Sequence, residues 1–191
     1  MIWFSSDWHI GHNKDFLYGK RGYCSIDEHD TAIIKNCNEL VKPDDELWLL
    51  GDLALGINEA EWNRVYYSIN CQNIHFIIGN HDTDRRMDKY IDEYGFELHG
   101  YADIMKYSKK KQIYLSHYPT FTDNFDDEIR NHVINLYGHT HQVTNFFNNN
   151  PYMYHVGVDS HHMYPVSIEQ IMLDIDKKVK EREKANENTD Y

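Results

Sequence analysis

Apolar positions along this chain fall into short runs separated by amphipathic stretches. Ile2–Ser5, Leu47–Leu50, Ile74–Ile78 and Ile113–Ser116 have strand length and little polar alternation, so they read as buried strands. Val133–Tyr137 and Met153–Val158 are further strand candidates. About Asp27–Val41, Asn58–Ser68, Thr83–Tyr94 and Ser167–Lys180 carry helical spacing between or after them. Ser25 or Asp27 can cap the first of these helices, and Pro43 stands just past its end. Strands alternating with helices predict an α/β layered fold. The alternation loses its regularity after Gly95, so part of the sheet is expected to be antiparallel.

The 191 residues suffice for one well-buried domain and not for two ordinary ones. The expectation is a single domain over residues 1–180, followed by a charged tail over 181–191 that frays. The start, Met-Ile-Trp-Phe, reads as a strand, whereas a signal peptide needs a basic start and a longer apolar run. No apolar run approaches the length of a membrane span, so the expected setting is the cytoplasm, away from membranes. Cys24, Cys37 and Cys71 are odd in number and widely spaced, which suits neither a disulfide framework nor a thiolate zinc site.

A net charge of −12 makes long nucleic acid an unfavourable partner, because non-specific affinity comes from Lys and Arg facing phosphates. Bound divalent cations would reverse that sign locally. Thirteen histidines are many for this length and hint at a metal site. Nothing in the sequence specifies an oligomeric state.

The residues able to carry chemistry are grouped. Asp7-Trp8-His9 follows the first strand, Gly51-Asp52 the second and Gly79-Asn80-His81-Asp82 the third. His117 follows Ile113–Ser116, and Gly138-His139-Thr140-His141 follows Val133–Tyr137. Ligand crevices form beyond the carboxyl ends of strands in open α/β sheets. Glycines 51, 79 and 138 allow tight turns there. In extended chain, residues i and i+2 point the same way, roughly 6.6 Å apart. Two ions of a binuclear site lie about 3.5–4 Å apart, so an i, i+2 histidine pair can serve one ion each. Mixed imidazole and carboxylate ligation suits Mn, Fe, Zn, Ni or Co better than Ca or Mg.

Taken in order, Asp7-x-His9, Gly51-Asp52, Gly79-Asn80-His81-Asp82, His117 and Gly138-His139-x-His141 resemble the calcineurin-like metallophosphoesterase superfamily, in a small, uncapped bacterial or phage-type form. The resemblance implies a four-layer α/β/β/α sandwich around two mixed sheets. It implies that Asp7, His9 and His141 hold a first metal, that Asn80, His117 and His139 hold a second, and that Asp52 bridges both. His81, unligated, would face the substrate, with Asp82 orienting it. No ligand of the pattern is missing.

The activity so implied is hydrolysis of a small phosphate ester by a metal-bridging hydroxide, with two divalent transition-metal ions, Mn first among them. A phosphodiester is the expected substrate. Small uncapped members often favour diesters, and few basic residues stand near the blocks. The alternatives are a phosphomonoesterase, a protein phosphatase with the same site, a nuclease, and a scaffold that kept the fold without the chemistry. Arg21 and His12, in the segment after Asp7-x-His9, are the candidate substrate contacts. Arg85 and Arg86 are expected to point outward from the first turn after Asp82. His155 reads as a group supporting the ligands, His161 and His162 as surface residues. Tyr118, Phe121 and Phe125 read as packing residues, with stacking on a base or aryl group the alternative.

Overall fold

The computed structural model describes residues 1–109, 111–120 and 133–187. Phe121 and Phe125 lie outside the described residues. The first sheet runs in the order β4-β3-β2-β1-β9. Its strands are β1 (Ile2–Ser5), β2 (Glu46–Leu50), β3 (Asn73–Ile77), β4 (Glu97–Leu98) and β9 (Val166–Ser167). All neighbours are parallel except β9, which runs antiparallel to β1. The second sheet has the order β5-β6-β7-β8. It comprises β5 (Ala102–Lys106), β6 (Gln112–Ser116), β7 (Val133–Tyr137) and β8 (Met153–His155), with β5 the antiparallel member. The fold is therefore α/β with two mixed sheets.

Each helix follows from its pattern and cap. The helix α1 is a single short turn, Asp15–Tyr18. Ser25 accepts a hydrogen bond from the Glu28 amide and starts α2 (Ile26–Leu40). Asn58 and Glu61 form a reciprocal capping box at α3 (Glu59–Tyr66). Next comes α4 (Asp84–Asp92). These helices press Ile33, Ile34 and Cys37, Trp62 and Val65, and Met87 and Tyr90 onto Leu47, Leu49, Ile74 and Phe76 of the first sheet. Burying an aliphatic side chain of this kind contributes about 1.5–3 kcal/mol.

The opposite face of that sheet offers Phe4, Trp48, Leu50 and Ile77 to Ile113, Leu115, Ile134 and Leu136 of the second sheet. The final helix, α5 (Ile168–Glu187), adds Ile171, Met172 and Ile175 to this cluster. It runs to Glu187. Cys37 and Cys71 are buried, and all three cysteines are free. Among the described residues, no helix is long and apolar enough to cross a membrane.

Just past β1 and β8 the two sheets join through a parallel bridge between Ser6 and Gly157. The chain also pairs Asp7 N with Gly51 O and His9 N with Asp52 O. This seam holds the loops at the carboxyl ends of both sheets in one place.

Candidate metal centre

Those loops bring the sequence blocks together with an unusual backbone. Asp7, His9, Asp52, His139 and His141 all have positive φ, between 48° and 65°. A non-glycine residue held there costs of order 1–3 kcal/mol, and such residues concentrate at functional sites. Convergence of Asp7 with His9, and of His139 with His141, is therefore not the extended i, i+2 alternation read from sequence. Left-handed turns aim these side chains inward.

Glycines clear the space. Gly51 has a φ of 87°, and a Cβ there would stand 2.6 Å from Gly79 Cα and from His117 Nδ1. Gly79 and Gly138 have no positive φ. They are small because Asp52 abuts Gly79, while Ser6 and Asp7 abut Gly138.

Two groups of candidate ligand atoms result. Asp7 Oδ1 lies 3.9 Å from His9 Nε2 and 3.8 Å from His141 Nε2, and these two nitrogens face each other at 3.2 Å. Asn80 Oδ1 lies 3.0 Å from His117 Nε2 and 2.9 Å from His139 Nδ1. Asp52 Oδ2 stands between the groups, 3.7 Å from His9 Nε2 and 3.5 Å from His117 Nε2. Ligand nitrogens about 2.0–2.1 Å from a shared cation lie roughly 3.0–3.4 Å from each other, so the spacings suit metal ligation. Asp7 Oδ1 is buried and has no hydrogen-bond partner among the described residues. An acceptor orphaned in this way, amid imidazole nitrogens, fits a cation.

The remaining ligand atoms are tied to the frame. His117 Nδ1 lies 2.8 Å from Leu50 O, which leaves Nε2 facing the site. Asp52 Oδ1 accepts from the His81 amide at 2.8 Å. Asp7 Oδ2 accepts from the Ser6 hydroxyl at 2.5 Å and the His139 amide at 2.9 Å. Burial holds His9 down at about 2, with the His141 and Arg21 charges acting the same way. Burial also lowers His139. Both shifts favour the neutral imidazole, the form that binds metal.

His81 stands at the mouth, its side chain 41% exposed and Nε2 4.0 Å from Asp52 Oδ2. The His12 ring is 6.5 Å from the His81 ring and 5.6 Å from the His9 ring, so His12 also borders the cleft. Tyr118 is 47% exposed, with its ring 4.6 Å from His139, so it lines the rim rather than the core.

Other placements differ from the sequence reading as well. Asp82 makes its hydrogen bonds to backbone rather than to the His81 ring: its Oδ2 accepts from the Gly79 and Asp52 amides, each at 2.8 Å. Burial pushes its carboxyl up to about 6 against those two bonds. Asp82 thus fixes the loop that carries Asn80 and His81. Arg86 turns inward and donates to the carbonyls of Ala54 and His81, while Arg85 is exposed as expected.

Arg21 differs most, because its side chain is only 2% exposed. It donates to Asp7 O at 2.9 Å, Trp8 O at 3.3 Å and His29 Nε2 at 2.9 Å. It also makes a forked pair with Asp159, Nε to Oδ1 at 2.9 Å and a terminal nitrogen to Oδ2 at 2.7 Å. Arg21 therefore braces the left-handed Asp7-Trp8-His9 turn from beneath.

Asp159 was not legible from sequence. Its Oδ2 lies 2.9 Å from His141 Nδ1, the arrangement that orients a metal-binding histidine. Burial opposes its ionisation, but His141 and Arg21 hold the carboxyl well below the usual range. Burial lowers His141 as well, and Asp159 and Asp7 more than offset this, leaving it raised. No motif surrounds Asp159; its only sequence signal is an acidic residue inside an apolar stretch. His155 is fully buried, with Nδ1 2.8 Å from Ser160 Oγ. His161 is tucked in, with Nε2 2.8 Å from His155 O, whereas His162 is exposed as expected.

The fold and site define an α/β protein with paired histidine–carboxylate clusters where two sheets meet. Residues 3–178 match the calcineurin-like phosphoesterase superfamily domain, and the chain belongs to that superfamily. It is 28% identical to the Gene 66 protein of Mycobacterium phage D29 over 84% of this chain and 89% of that one. It is 29% identical to an uncharacterised protein of Methanocaldococcus jannaschii over 92% of each. A solved protein of unknown function from Aquifex aeolicus shares the fold, with a TM-score of 0.63 and 23% identity over 90% of this chain and 97% of that one.

Proposed function

We propose that this chain is a two-metal phosphoesterase that hydrolyses a small phosphate ester, with diesters preferred. The carrying observation is Asp52 Oδ2, placed within 3.7 Å of nitrogens from both ligand groups. Asp7, His9 and His141 would hold one cation, Asn80, His117 and His139 the other, and Asp52 both. When bound, such a pair of cations lowers the pKa of water toward neutrality and neutralises phosphate oxygens.

The protein groups divide the remaining work. His81, exposed at the mouth, is free to donate a proton to the leaving oxygen in its protonated form. The Asp82 brace sets where that imidazole stands, by holding the Gly79 and Asp52 amides. His12 borders the space beside His81 and would contact the ester, and Tyr118 offers an exposed ring to a leaving group.

Substrate charge separates the diester from the monoester. A site for dianions usually adds Arg or Lys clamps beyond its metals. Arg21 and Arg86 are instead engaged by protein acceptors. That favours the monoanionic diester. The test is a hydrolysis comparison of a bis-aryl phosphate and the matching aryl monoester with Mn, Ni, Co, Zn and Mg. A wide monoester advantage in kcat/KM with the best metal contradicts the diester assignment.

A further inference from the structure

A second convergence of imidazoles lies away from the candidate centre, at the β4 edge of the first sheet. His75 on β3 and Glu97 on β4 are register partners, and Glu46 on β2 reaches toward the same side. His99 follows β4, its amide bonded to Phe76 O at 3.0 Å. His75 Nδ1 and His99 Nε2 face each other at 3.0 Å. Glu97 Oε2 is 3.3 Å from that His75 nitrogen, and Glu97 Oε1 is 3.7 Å from that His99 nitrogen. The three groups come from strands and a turn whose positions the sheet fixes.

The outward nitrogens of both rings are also engaged. His99 Nδ1 lies 2.7 Å from Asp103 Oδ2, on β5 of the second sheet. His75 Nε2 faces Glu46 Oε1 at 3.7 Å, and Trp48 Nε1 donates to that same oxygen at 2.5 Å. In the tautomers whose N–H groups face Asp103 and Glu46, both rings direct lone pairs at each other and at Glu97. A cation among these three groups would accept lone pairs from all of them at once. The Trp48 ring stacks on His75 at 4.4 Å and 9°, which fixes that imidazole.

We infer that His75, His99 and Glu97 form a separate site for a zinc-class divalent ion. Two imidazoles and one carboxylate are a ligand set that zinc takes with a fourth, solvent position. Glu97 is 65% exposed, so that position opens to water. The spacings of 3.0, 3.3 and 3.7 Å bracket those of ligands around one ion, roughly 3.0–3.4 Å. Asp103 and Glu46 would orient the two histidines as carboxylate partners of metal-bound imidazoles do. Bound there, the ion would fasten the two-residue strand β4 to β3 and, through Asp103, to the edge of the second sheet. The inference does not depend on the two-metal reading of the other centre.

Zinc bound per chain after equilibrium dialysis tests it, comparing the native protein with Glu97→Gln/His99→Gln. Both chains share the seven ligands of the other centre, so that centre cancels in the difference. The native protein should hold one more zinc ion per chain. Asp103→Asn should keep the site with affinity lower by roughly 10–100-fold. Zinc should also raise the melting temperature of native protein more than that of Glu97→Gln, a substitution at an exposed position that leaves the fold intact. Equal zinc counts, with equal zinc-dependent melting shifts in native protein and Glu97→Gln, would overturn the inference.

Discussion

Asp159 Oδ2 lies 2.9 Å from His141 Nδ1, and its carboxylate also takes two hydrogen bonds from Arg21. A candidate ligand of the centre is thereby tied to the group that braces Asp7 and His9. Asp159→Asn should lower metal affinity by roughly 10–100-fold, the usual effect of losing such a partner. Activity titrated with Mn should need more metal and recover in large part at saturation. An unchanged metal requirement with a raised KM would instead make Asp159 a substrate contact.

Arg21→Ala follows from the same bonds. It leaves Asp159 as a charge without its buried partner, which costs about 3–5 kcal/mol when the pair is well buried. Urea unfolding should show a loss on that scale, and the metal requirement should rise. A normal urea midpoint with only KM altered would restore the substrate-contact reading from sequence.

Much of this was legible in the chain. Asp7-x-His9, Gly51-Asp52, Gly79-Asn80-His81-Asp82, His117 and Gly138-His139-x-His141 each follow a strand that apolar runs reveal. Strands β4 and β9 are two residues long, too short for a period. The strand β5 exposes Ile104, so its pattern has no clean apolar face. The left-handed backbone at five site residues also left no signal, because Asp and His are not diagnostic of positive φ as Gly is. The placements of Arg21, Arg86 and Asp159 depend on contacts across 138 or 32 positions of the chain, beyond the reach of local pattern.

Gly138→Ala tests the close approach of backbone to ligand. The new methyl would fall 2.5 Å from Asp7 Oδ2 and against Ser6. Overpacking of this kind costs about 1–3 kcal/mol. The melting temperature should fall and metal binding weaken, as read by calorimetry. A variant with native stability and metal content would mean that the loop moves aside freely.

His81→Ala should keep both metals and lose rate by roughly 10²–10⁴-fold, the range for a general acid. The loss should shrink for esters with very good leaving groups, which need little protonation. Equal losses across a leaving-group series, with metal content intact, would assign His81 to phosphate binding.

Asp52→Asn keeps the shape of the residue whose Oδ2 stands between both ligand groups and removes its charge. It should abolish most hydrolysis and weaken at least one of the two metals, measured as metal retained after dialysis. Normal rate with normal metal content would make Asp52 a bystander.

Hydrolysis should require cations held by Asp7, His9, Asp52, Asn80, His117, His139 and His141. Hydrolysis of a bis-aryl phosphate, followed through exhaustive chelation and then stepwise return of Mn, tests it most directly. The account predicts that activity disappears on chelation and returns with added Mn. Full activity in protein shown to be metal-free would contradict it.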